Sequence, residues 1–360
     1  MTCQQNEFND IPPFEQLDKN MQGVLSALKS KTNRVFVTGA GGFLGKAICL
    51  ALRSADIEVV GYARGDYPEL TALGVSMIKG DICDKEALFD AMKECDVIFH
   101  VASKAGVWGD KESYFKANVE GTENIIQACI AHNIAHLIYT STPSVTFTGN
   151  DEAGIDESTP YASQFLNFYG LSKALAEQKV LSSNSEALKT VALRPHLIWG
   201  PGDRHLVPRV LARAKANKLK LVGKTDKLVD TIYIDNAVYA HLLAALELTS
   251  EQSKCAGKAY FLSNDEPIFM ADMLNKILAC QNLPAVNKRV PAPLAYFAGS
   301  LLEWTYLALR KQEEPIMTRF VAKQLSTSHY YNISAAKIDL NYTPLVSITE
   351  GMQTLKKSLN

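Results

Sequence analysis

The feature that most constrains the fold of this chain is an apolar strand that runs directly into a glycine loop. Residues 34–38 read Arg-Val-Phe-Val-Thr, and Gly-Ala-Gly-Gly-Phe-Leu-Gly follows at 39–45. The first two glycines of this GxxGxxG permit a tight turn and a close approach to a pyrophosphate, and the third lets the next helix pack on the strand. This order of elements predicts a dinucleotide site that uses Gly39, Gly42, Phe43, Leu44 and Gly45.

Short runs rich in β-branched residues alternate with helical stretches up to about residue 196. The predicted strands are 35–37, 57–62, 75–78, 97–101, 137–140 and 191–193, and the predicted helices are 46–53, 85–92, 117–132 and 169–181. This alternation is typical of βαβ units with right-handed crossovers. The predicted fold class is α/β, a doubly wound parallel sheet of the Rossmann type with ligands beyond the carboxyl ends of its strands.

Three regions are predicted along the chain. Residues 1–33 form an N-terminal appendage with one amphipathic helix, which we expect to pack on the body or on a partner subunit. Residues 34–200 form the dinucleotide-binding domain with the catalytic residues. Residues 201–360, which are punctuated by prolines, form a smaller and irregular substrate lobe. Two segments of this lobe are expected to return to the sheet, 228–234 and 259–262.

Charge and cysteine usage exclude several classes of function. The formal net charge is −1, so no global field attracts nucleic acid or an anionic membrane. Seven cysteines occur without a CxxC pair and without histidines at zinc-ligand spacing, which predicts free thiols, no metal site and a reducing compartment. No secretory pattern is evident at the N-terminus, so we expect a cytoplasmic enzyme.

The end of the second strand predicts which cofactor is bound. An NAD site normally places a carboxylate there, about 20 residues after the glycine loop, to bond the ribose 2′-hydroxyl. Here Ala63 is followed at once by Arg64, and the nearest acid, Asp66, lies past a glycine. A guanidinium binds a 2′-phosphate in bidentate fashion, whereas a carboxylate repels it. The sequence therefore predicts that NADP(H) is preferred over NAD(H).

Two more strand ends are expected to border the cofactor. Asp81 and Ile82 follow the third strand, where an acid meets the adenine amino group. A loop or helix-cap role for Asp81 stays equally open. The fourth strand ends at Ala102, beneath the cofactor.

Tyr169 and Lys173 form the only YxxxK motif among 14 tyrosines. About one such spacing arises by chance in a chain of this composition, so position carries the inference. The motif opens a predicted helix, where residues four apart share a face, and it follows the fifth strand. A nearby ammonium favours phenolate and lowers the pKa of a tyrosine from about 10. Tyr169 is therefore the expected acid–base group, with Lys173 beside it.

A hydroxyl group at the end of the fifth strand is expected to polarise the substrate carbonyl. The run Tyr-Thr-Ser-Thr-Pro-Ser at 139–144 offers several. Thr142 is favoured and Ser141 is the alternative, although each hydroxyl alone would equally serve as a strand-end cap.

Residues 292–309 are almost wholly apolar, with Glu303 as their only charge. A membrane span typically needs about 20 apolar residues, and Pro293 and Gly299 weaken that assignment further. We expect a helix that lines an apolar substrate pocket or a subunit contact, ahead of a peripheral membrane contact and of a true span.

Several motifs together resemble the extended short-chain dehydrogenases, and within them the 3β-hydroxysteroid dehydrogenase-like branch. These motifs occupy 38–45, 118–122 (Asn-Val-Glu-Gly-Thr), 139–142, 169–173 and 193–202 (Leu-Arg-Pro-His-Leu-Ile-Trp-Gly-Pro-Gly). Closer still is a resemblance to the 2-alkyl-3-oxoalkanoate reductases of bacterial long-chain olefin biosynthesis. It rests on segments 64–68, 103–109, 141–145 and 200–206.

The resemblance implies NADPH-dependent reduction of the keto group of a long-chain α-alkylated β-keto acid, between a condensing enzyme and a β-lactone-forming ligase. It places the catalytic roles on Thr142, Tyr169 and Lys173. It also implies that Asn118 helps to hold the active site and that Pro195–Ile198 borders the nicotinamide. The chain departs from many relatives in having threonine instead of serine at 142, and its leader lies outside the family core.

A lipid-like substrate with two alkyl chains needs apolar surface, which the segment 292–309 and the loop Ala105–Gly109 are expected to offer. Its carboxylate or thioester end needs a cation, for which Lys104, Arg204 and His205 are candidates. Trp108 and Ser141 are further substrate candidates.

Three other functions stay open. A hydroxysteroid dehydrogenase would use the same apolar lobe, and a sugar-nucleotide epimerase or dehydratase would hold NAD tightly. A dinucleotide-binding sensor without turnover is disfavoured because both residues of the YxxxK pair are present. We also expect a homodimer that associates with neighbouring enzymes of its pathway.

Overall fold

The computed structural model describes residues 11–311 and 313–360 of the chain. Residues 1–10 of the predicted appendage, with Cys3, lie outside the described residues. The strands within them are β1 Arg34–Thr38, β2 Glu58–Ala63, β3 Ser76–Lys79, β4 Val97–His100, β5 His136–Thr140, β6 Glu152–Ile155, β7 Lys189–Pro195, β8 Ile198–Trp199, β9 Leu221–Val222, β10 Leu228–Val229, β11 Ile232–Tyr233, β12 Lys258–Leu262, β13 Ile268–Phe269, β14 Arg289–Val290 and β15 His329–Tyr331.

The α-helices of the same residues vary from five to seventeen residues in length. They are α1 Lys19–Lys29, α2 Phe43–Ser54, α3 Pro68–Ala72, α4 Lys85–Ala91, α5 Lys111–Phe115, α6 Gly121–Ala131, α7 Phe168–Ser182, α8 Leu206–Lys215, α9 Ile234–Leu248, α10 Met270–Cys280, α11 Ala292–Ala308, α12 Arg319–Gln324, α13 Ser334–Asp339 and α14 Ile348–Leu359. A π-helical turn at Lys116–Glu120 joins α5 to α6.

Seven parallel strands form the central sheet in the order β12-β7-β5-β4-β1-β2-β3. The chain runs outward from β1 to β3, returns to β4 on the other side of β1, and continues outward to β12. The order reverses between β1 and β4, so the crevice at their carboxyl ends is the topological switch point, where ligands of such sheets bind. The predicted α/β class is confirmed.

Both faces of the sheet are covered, which is why the inner strands β1, β4, β5 and β7 are mostly buried, whereas the edge strand β3 is largely exposed. Along β1, Val35 and Val37 face a core shared with α1, α2 and α9. Phe36 faces the opposite core, which it shares with α4, α6 and α7. Alternate residues of one strand therefore hold two helical layers on the sheet.

The appendage helix packs on the body. Met21, Val24, Leu25 and Leu28 are buried along one side of α1, against α9. The Asp18 carboxylate caps the helix by accepting the backbone N–H of Asn20 at 2.7 Å. The sequence predicted that this helix packs on the body or on a partner subunit, and packing on the body is confirmed.

The two segments expected to return to the sheet differ in outcome. Residues 259–262 lie in β12, at the edge of the sheet, as predicted. The prediction for 228–234 is wrong, because β10 joins a small four-stranded sheet, β11 pairs with β8, and α9 begins at Ile234. Asp230 interrupts this apolar run, and its carboxylate accepts the backbone N–H of Tyr331 in β15 at 2.9 Å.

The apolar segment 292–309 forms α11, whose buried residues are Ala295, Gly299 and Glu303. This side packs on α12, and the larger apolar residues of the helix point away from it. Across the described ranges, no helix has both the length and the apolar character that crossing a membrane requires.

Candidate active site

The carboxyl ends of β1, β2, β4, β5 and β7 open into one cavity of about 930 Å³. Of the residues predicted for the site, all line it except Trp108, Arg204 and Asn118. The predicted catalytic and cofactor residues among them are Gly39, Gly42, Phe43, Leu44, Gly45, Arg64, Asp81, Ile82, Ala102, Thr142, Tyr169, Lys173, Pro195 and Ile198. The predicted substrate residues among them are Lys104, Ser141 and His205.

The glycine loop forms a cradle that a side chain would fill. Gly39 has a φ of +68°, and a Cβ there would lie 3.0 Å from the backbone of Ala102. A Cβ on Gly45 would lie 2.2 Å from the carbonyl oxygen of Gly39. The N-cap residue of α2, Gly42, has no side chain to satisfy the first backbone N–H groups of the helix. These N–H groups and the positive end of the helix dipole fit a pyrophosphate, so the loop suits a dinucleotide.

The end of β2 places Arg64 at the rim of the cavity. Arg64 is exposed, and no carboxylate of the described residues forms an ion pair with it. Asp66, the nearest acid in sequence, is paired with Lys79 at 2.7 Å. Tyr67 also lines the cavity, and its ring lies where a Cβ on Gly41 would be, 1.9 Å from the nearest ring atom. Tyr67 was not predicted as a site residue.

Of the roles that the sequence left open for Asp81, the structure shows the one in the loop, and contact with adenine stays a prediction. Its carboxylate lines the cavity and also accepts the backbone N–H of Cys83 at 3.0 Å. Its carbonyl oxygen accepts the Tyr62 hydroxyl at 3.1 Å. The cap of α4 is instead Asp84, which accepts the N–H of Ala87. Asp81 therefore shapes the turn and leaves a carboxylate at the cavity wall.

A buried chain of hydrogen bonds joins β1 to β4 beneath the cavity. Thr38 Oγ1 accepts the N–H groups of Val101 and Ala102, so its proton is directed to His100 Nδ1 at 2.8 Å. His100 Nε2 then carries the ring proton and donates it to Thr122 Oγ1 at 2.9 Å. Burial lowers the pKa of His100 to about 3, which keeps the ring neutral.

This series of hydrogen bonds was not predicted, because it depends on the strand register that places Thr38 opposite His100. The two residues lie at the ends of predicted strands, so a known strand order would have brought them together. No pattern within either strand shows the pairing.

Asn118 ties the loop after β4 to the catalytic helix. Its Oδ1 accepts the backbone N–H of Lys104 at 2.7 Å, and its Nδ2 donates to Ser172 Oγ at 2.9 Å. The predicted helix 117–132 begins instead as the π-helical turn 116–120, and Asn118 is buried within that turn. Such turns widen a helix locally and are frequent at functional sites. The role implied for Asn118, holding the site together, agrees with these contacts.

Tyr169 lies in the first turn of α7, where Asn167 caps the helix by accepting the N–H of Gly170 at 2.8 Å. The side chain of Thr142, which follows β5, lies beside the hydroxyl of Tyr169. Burial raises the pKa of Tyr169, and the hydroxyl of Thr142 acts in the opposite direction. Of the two candidate hydroxyls, the structure thus brings Thr142 to the tyrosine.

Lys173 lies one turn further along α7 and is buried. Its Nζ donates to the carbonyl oxygen of Thr140 at 2.6 Å and lies 4.1 Å from the centre of the Tyr139 ring. Burial lowers the pKa of Lys173 to about 7, and the charge of Glu177 opposes this effect. Because Nζ is directed to the end of β5, the expected lowering of the pKa of Tyr169 by the Lys173 ammonium stays a prediction.

The wall expected at the nicotinamide is formed by Pro195, Leu197 and Ile198. Leu197 has a φ of +46°, in the left-handed region that a leucine rarely adopts. Residues held in such conformations cluster at ligand sites, where the surrounding fold maintains the strain.

The substrate candidates that line the cavity differ in their exposure and in their hydrogen-bond partners. Ser141 is buried at the cavity wall, and its Oγ has no hydrogen-bond partner among residues 11–311 and 313–360. Lys104 Nζ contacts Ser113 Oγ and lies 4.9 Å from the centre of the Tyr114 ring. His205 is exposed just before α8.

Two predictions about apolar substrate contacts are wrong. Trp108 does not line the cavity: its indole N–H donates to the carbonyl oxygen of Lys311 at 3.2 Å, beyond the end of α11. No residue of α11 lines the cavity either, because the helix buries its small residues and directs its large apolar ones outward. Of the loop Ala105–Gly109, only Ala105 reaches the cavity.

Known proteins are similar in sequence to this chain over most of its length. The 3-beta hydroxysteroid dehydrogenase/isomerase family matches residues 36–290. The 2-alkyl-3-oxoalkanoate reductase of Shewanella oneidensis is 64% identical over 350 residues, which are 95% of this chain and 90% of that protein. The 2-alkyl-3-oxoalkanoate reductase of Stenotrophomonas maltophilia is 47% identical over 90% of this chain and 99% of its own length.

Solved structures with the same fold are more distant in sequence. The UDP-glucuronic acid 4-epimerase of Bacillus cereus, in complex with NAD, has a TM-score of 0.69 at 21% identity. The similarity covers 91% of this chain and 98% of that one. It supports the Rossmann-like architecture and says nothing about the substrate of this chain.

Proposed function

Because the chain belongs to the 3-beta hydroxysteroid dehydrogenase/isomerase family, we propose that its cavity reduces the keto group of a long-chain 2-alkyl-3-oxoalkanoate with NADPH. The chain is an oxidoreductase of the extended short-chain dehydrogenase type that uses a nicotinamide cofactor. In the proposed reaction one 3-oxo acid, one NADPH and one proton give one 3-hydroxy acid and one NADP⁺. We place this step in olefin hydrocarbon biosynthesis.

The observation that carries the proposal is the 64% identity to the Shewanella reductase along 95% of the chain. The fold and the Tyr169–Lys173 pair alone do not distinguish a β-keto acid from a sterol or a nucleotide sugar. Identity that extends through residues 201–360 includes the lobe expected to contact the substrate. The cavity supplies the remaining requirement, a place where a cofactor and a carbonyl group meet an acid.

Tyr169 in α7 and Thr142 after β5 would act on the substrate oxygen. Tyr169 donates its phenolic proton to the carbonyl oxygen as negative charge develops there. Thr142, which lies beside Tyr169, stabilises that charge. When bound, the reduced nicotinamide supplies the hydride to the carbonyl carbon.

Lys173 would then restore the proton that Tyr169 gives up. With its pKa lowered to about 7, Lys173 exchanges protons readily near neutral pH. Its bond to the Thr140 carbonyl oxygen holds Nζ at the end of β5, near the hydroxyl run. The buried pair of Glu177 with Arg194, at 2.5 Å, places a negative charge one turn along α7 that favours the ammonium form.

Arg64 supports the preference for NADPH. Its guanidinium is exposed at the cavity rim without a carboxylate partner in the described chain, and Asp66 is engaged by Lys79. A free guanidinium there offers two N–H donors to a ribose 2′-phosphate. We further propose a homodimer in the cytoplasm, working beside the enzymes that form and consume its 3-oxo and 3-hydroxy acids.

A panel of alcohols tests the proposed substrate. The stable 2-alkyl-3-hydroxyalkanoate, a 3β-hydroxysteroid and UDP-glucose are each oxidised with NADP⁺, and kcat/KM is compared. We expect the hydroxy acid to exceed both others by at least about 100-fold, because only it would complement the whole lobe. A faster reaction with the steroid would replace the proposal by a hydroxysteroid dehydrogenase.

Substitutions at Thr142 test which hydroxyl acts. Thr142→Val should lower kcat by about 10²-fold, as expected for loss of one oxyanion donor, whereas Thr142→Ser should keep most of it. Thr142 lowers the pKa of Tyr169. Its loss should therefore raise that pKa and move the onset of alcohol oxidation, which needs the phenolate, to higher pH. If Ser141→Ala is as harmful as Thr142→Val, Ser141 has the larger share of the role.

The substitution Arg64→Gln tests the cofactor preference. Loss of a bidentate, charge-assisted contact should weaken NADPH binding by about 10- to 100-fold. The Kd of NADH, measured on the same variant by fluorescence titration, should change less than about twofold and is the internal control. Equal weakening of both cofactors would show that Arg64 does not read the 2′-phosphate.

A further inference from the structure

The helix α11 presents a broad apolar face that the rest of the described chain does not cover. We define the α11 face by five side chains on one side of the helix, all more than half exposed: Leu294, Phe297, Leu301, Trp304 and Leu307. Of the twelve large apolar residues that are exposed in the described chain, six lie on α11 or at its C-cap, Leu309. Apolar surface concentrated in this way marks an interaction site, whereas scattered single residues do not.

The opposite side of α11 fixes its orientation. A Cβ on Gly299 would lie 2.6 Å from the backbone of Thr318, so the helix packs closely on the start of α12. The Glu303 carboxylate accepts the backbone N–H and the Nε of Arg319, each at 2.6 Å. The helix therefore cannot rotate its large apolar residues inward without breaking a partly buried ion pair and a tight backbone contact.

The surroundings of the α11 face are positively charged. Four cations around it have no carboxylate partner among the described residues: Lys288 before the helix, Arg310 and Lys311 after it, and Lys323 on α12. Two of the three acids between residues 288 and 323 are engaged, Glu303 by Arg319 and Glu314 by Arg209. An apolar face with cations at both ends fits the boundary between acyl chains and anionic headgroups.

The α11 face also lies beside the cavity mouth. Trp108 donates to Lys311 just after the helix and makes an edge contact with Tyr306, at 6.1 Å between ring centres. The loop that carries Trp108 also carries Lys104 and Ala105, which line the cavity. A surface that holds α11 therefore lies near the route by which a substrate enters.

We propose that α11 lies flat on an anionic lipid surface and that this contact brings the cavity mouth to the membrane. Trp304, Tyr296 and Tyr306 are of the residue types that concentrate at the boundary of a bilayer. A second copy of the chain fits the face less well. In an antiparallel pairing of two α11 helices, Lys288 of one copy would meet Arg310 and Lys311 of the other, and like charges would repel.

The proposal accounts for an otherwise unexplained property of the cavity. Of α11 and the loop 105–109, the two segments expected to offer apolar surface to the substrate, only Ala105 lines it. If the proposed function holds, the alkyl chains of the substrate stay next to the bilayer while the keto group reaches Tyr169. Docking itself does not depend on that function, because it rests on α11 alone.

Vesicle cosedimentation tests the docking. Full-length protein is mixed with vesicles of phosphatidylcholine, with and without phosphatidylglycerol. We expect binding that increases with the anionic lipid and weakens with salt. The double variant Phe297→Ser/Trp304→Ser should lower the partition coefficient at least about tenfold. The control Ile130→Ser/Ile338→Ser removes apolar side chains of similar exposure from α6 and α13 and should bind as the unmodified protein does.

Two outcomes would overturn the proposal. The first is absence of vesicle binding, or an equal loss in both double variants. The second is a change of oligomeric state in Phe297→Ser/Trp304→Ser, measured by sedimentation velocity, which would make the face a subunit contact. Oxidation of a short-chain, water-soluble 2-alkyl-3-hydroxyalkanoate is measured in parallel. Vesicle binding without that activity would leave docking in place and refute the proposed function.

Discussion

The structure depends on the close contact between the glycine loop and the end of β4. Only a residue without a side chain fits at Gly39, which has a φ of +68° and lies against the backbone of Ala102. Thr38 reinforces the contact, because its hydroxyl accepts the N–H groups of Val101 and Ala102. This contact closes the floor of the switch-point crevice, and the strand ends that open above it supply the walls of the cavity.

The same contact is linked to the catalytic helix by hydrogen bonds. From Thr38 the path runs through the neutral ring of His100 to Thr122, whose hydroxyl donates to the carbonyl oxygen of Asn118 at 2.7 Å. The Asn118 side chain donates to Ser172, and Ser172 donates to the carbonyl oxygen of Tyr169 at 3.0 Å. The cofactor loop and the acid are thus held in one buried network, which preserves their relative positions.

The parts that sequence could predict are those coded within a few neighbouring residues. The glycine loop, the α/β alternation and the pair on α7 are local patterns, and all appear in the structure where they were expected. The pairing of Thr38 with His100 depends on strand register, and the π-helical turn at Asn118 depends on packing. The pocket-lining alternative for α11 was wrong for a related reason. Its apolar residues surround the helix, so periodicity did not show that the small side would be buried.

In the proposed reaction, hydride and proton meet at a 3-keto group beside Tyr169. The most direct test follows deuterium from NADPH that carries deuterium at both hydrogen positions of nicotinamide C4 into the product of a 2-alkyl-3-oxoalkanoate. Mass spectrometry should find one deuterium at C3 of the 3-hydroxy acid. The product should form at least about 10³-fold more slowly with Tyr169→Phe, since that variant has no acid at the carbonyl. Product without deuterium at C3, or an undiminished rate in Tyr169→Phe, would contradict the account.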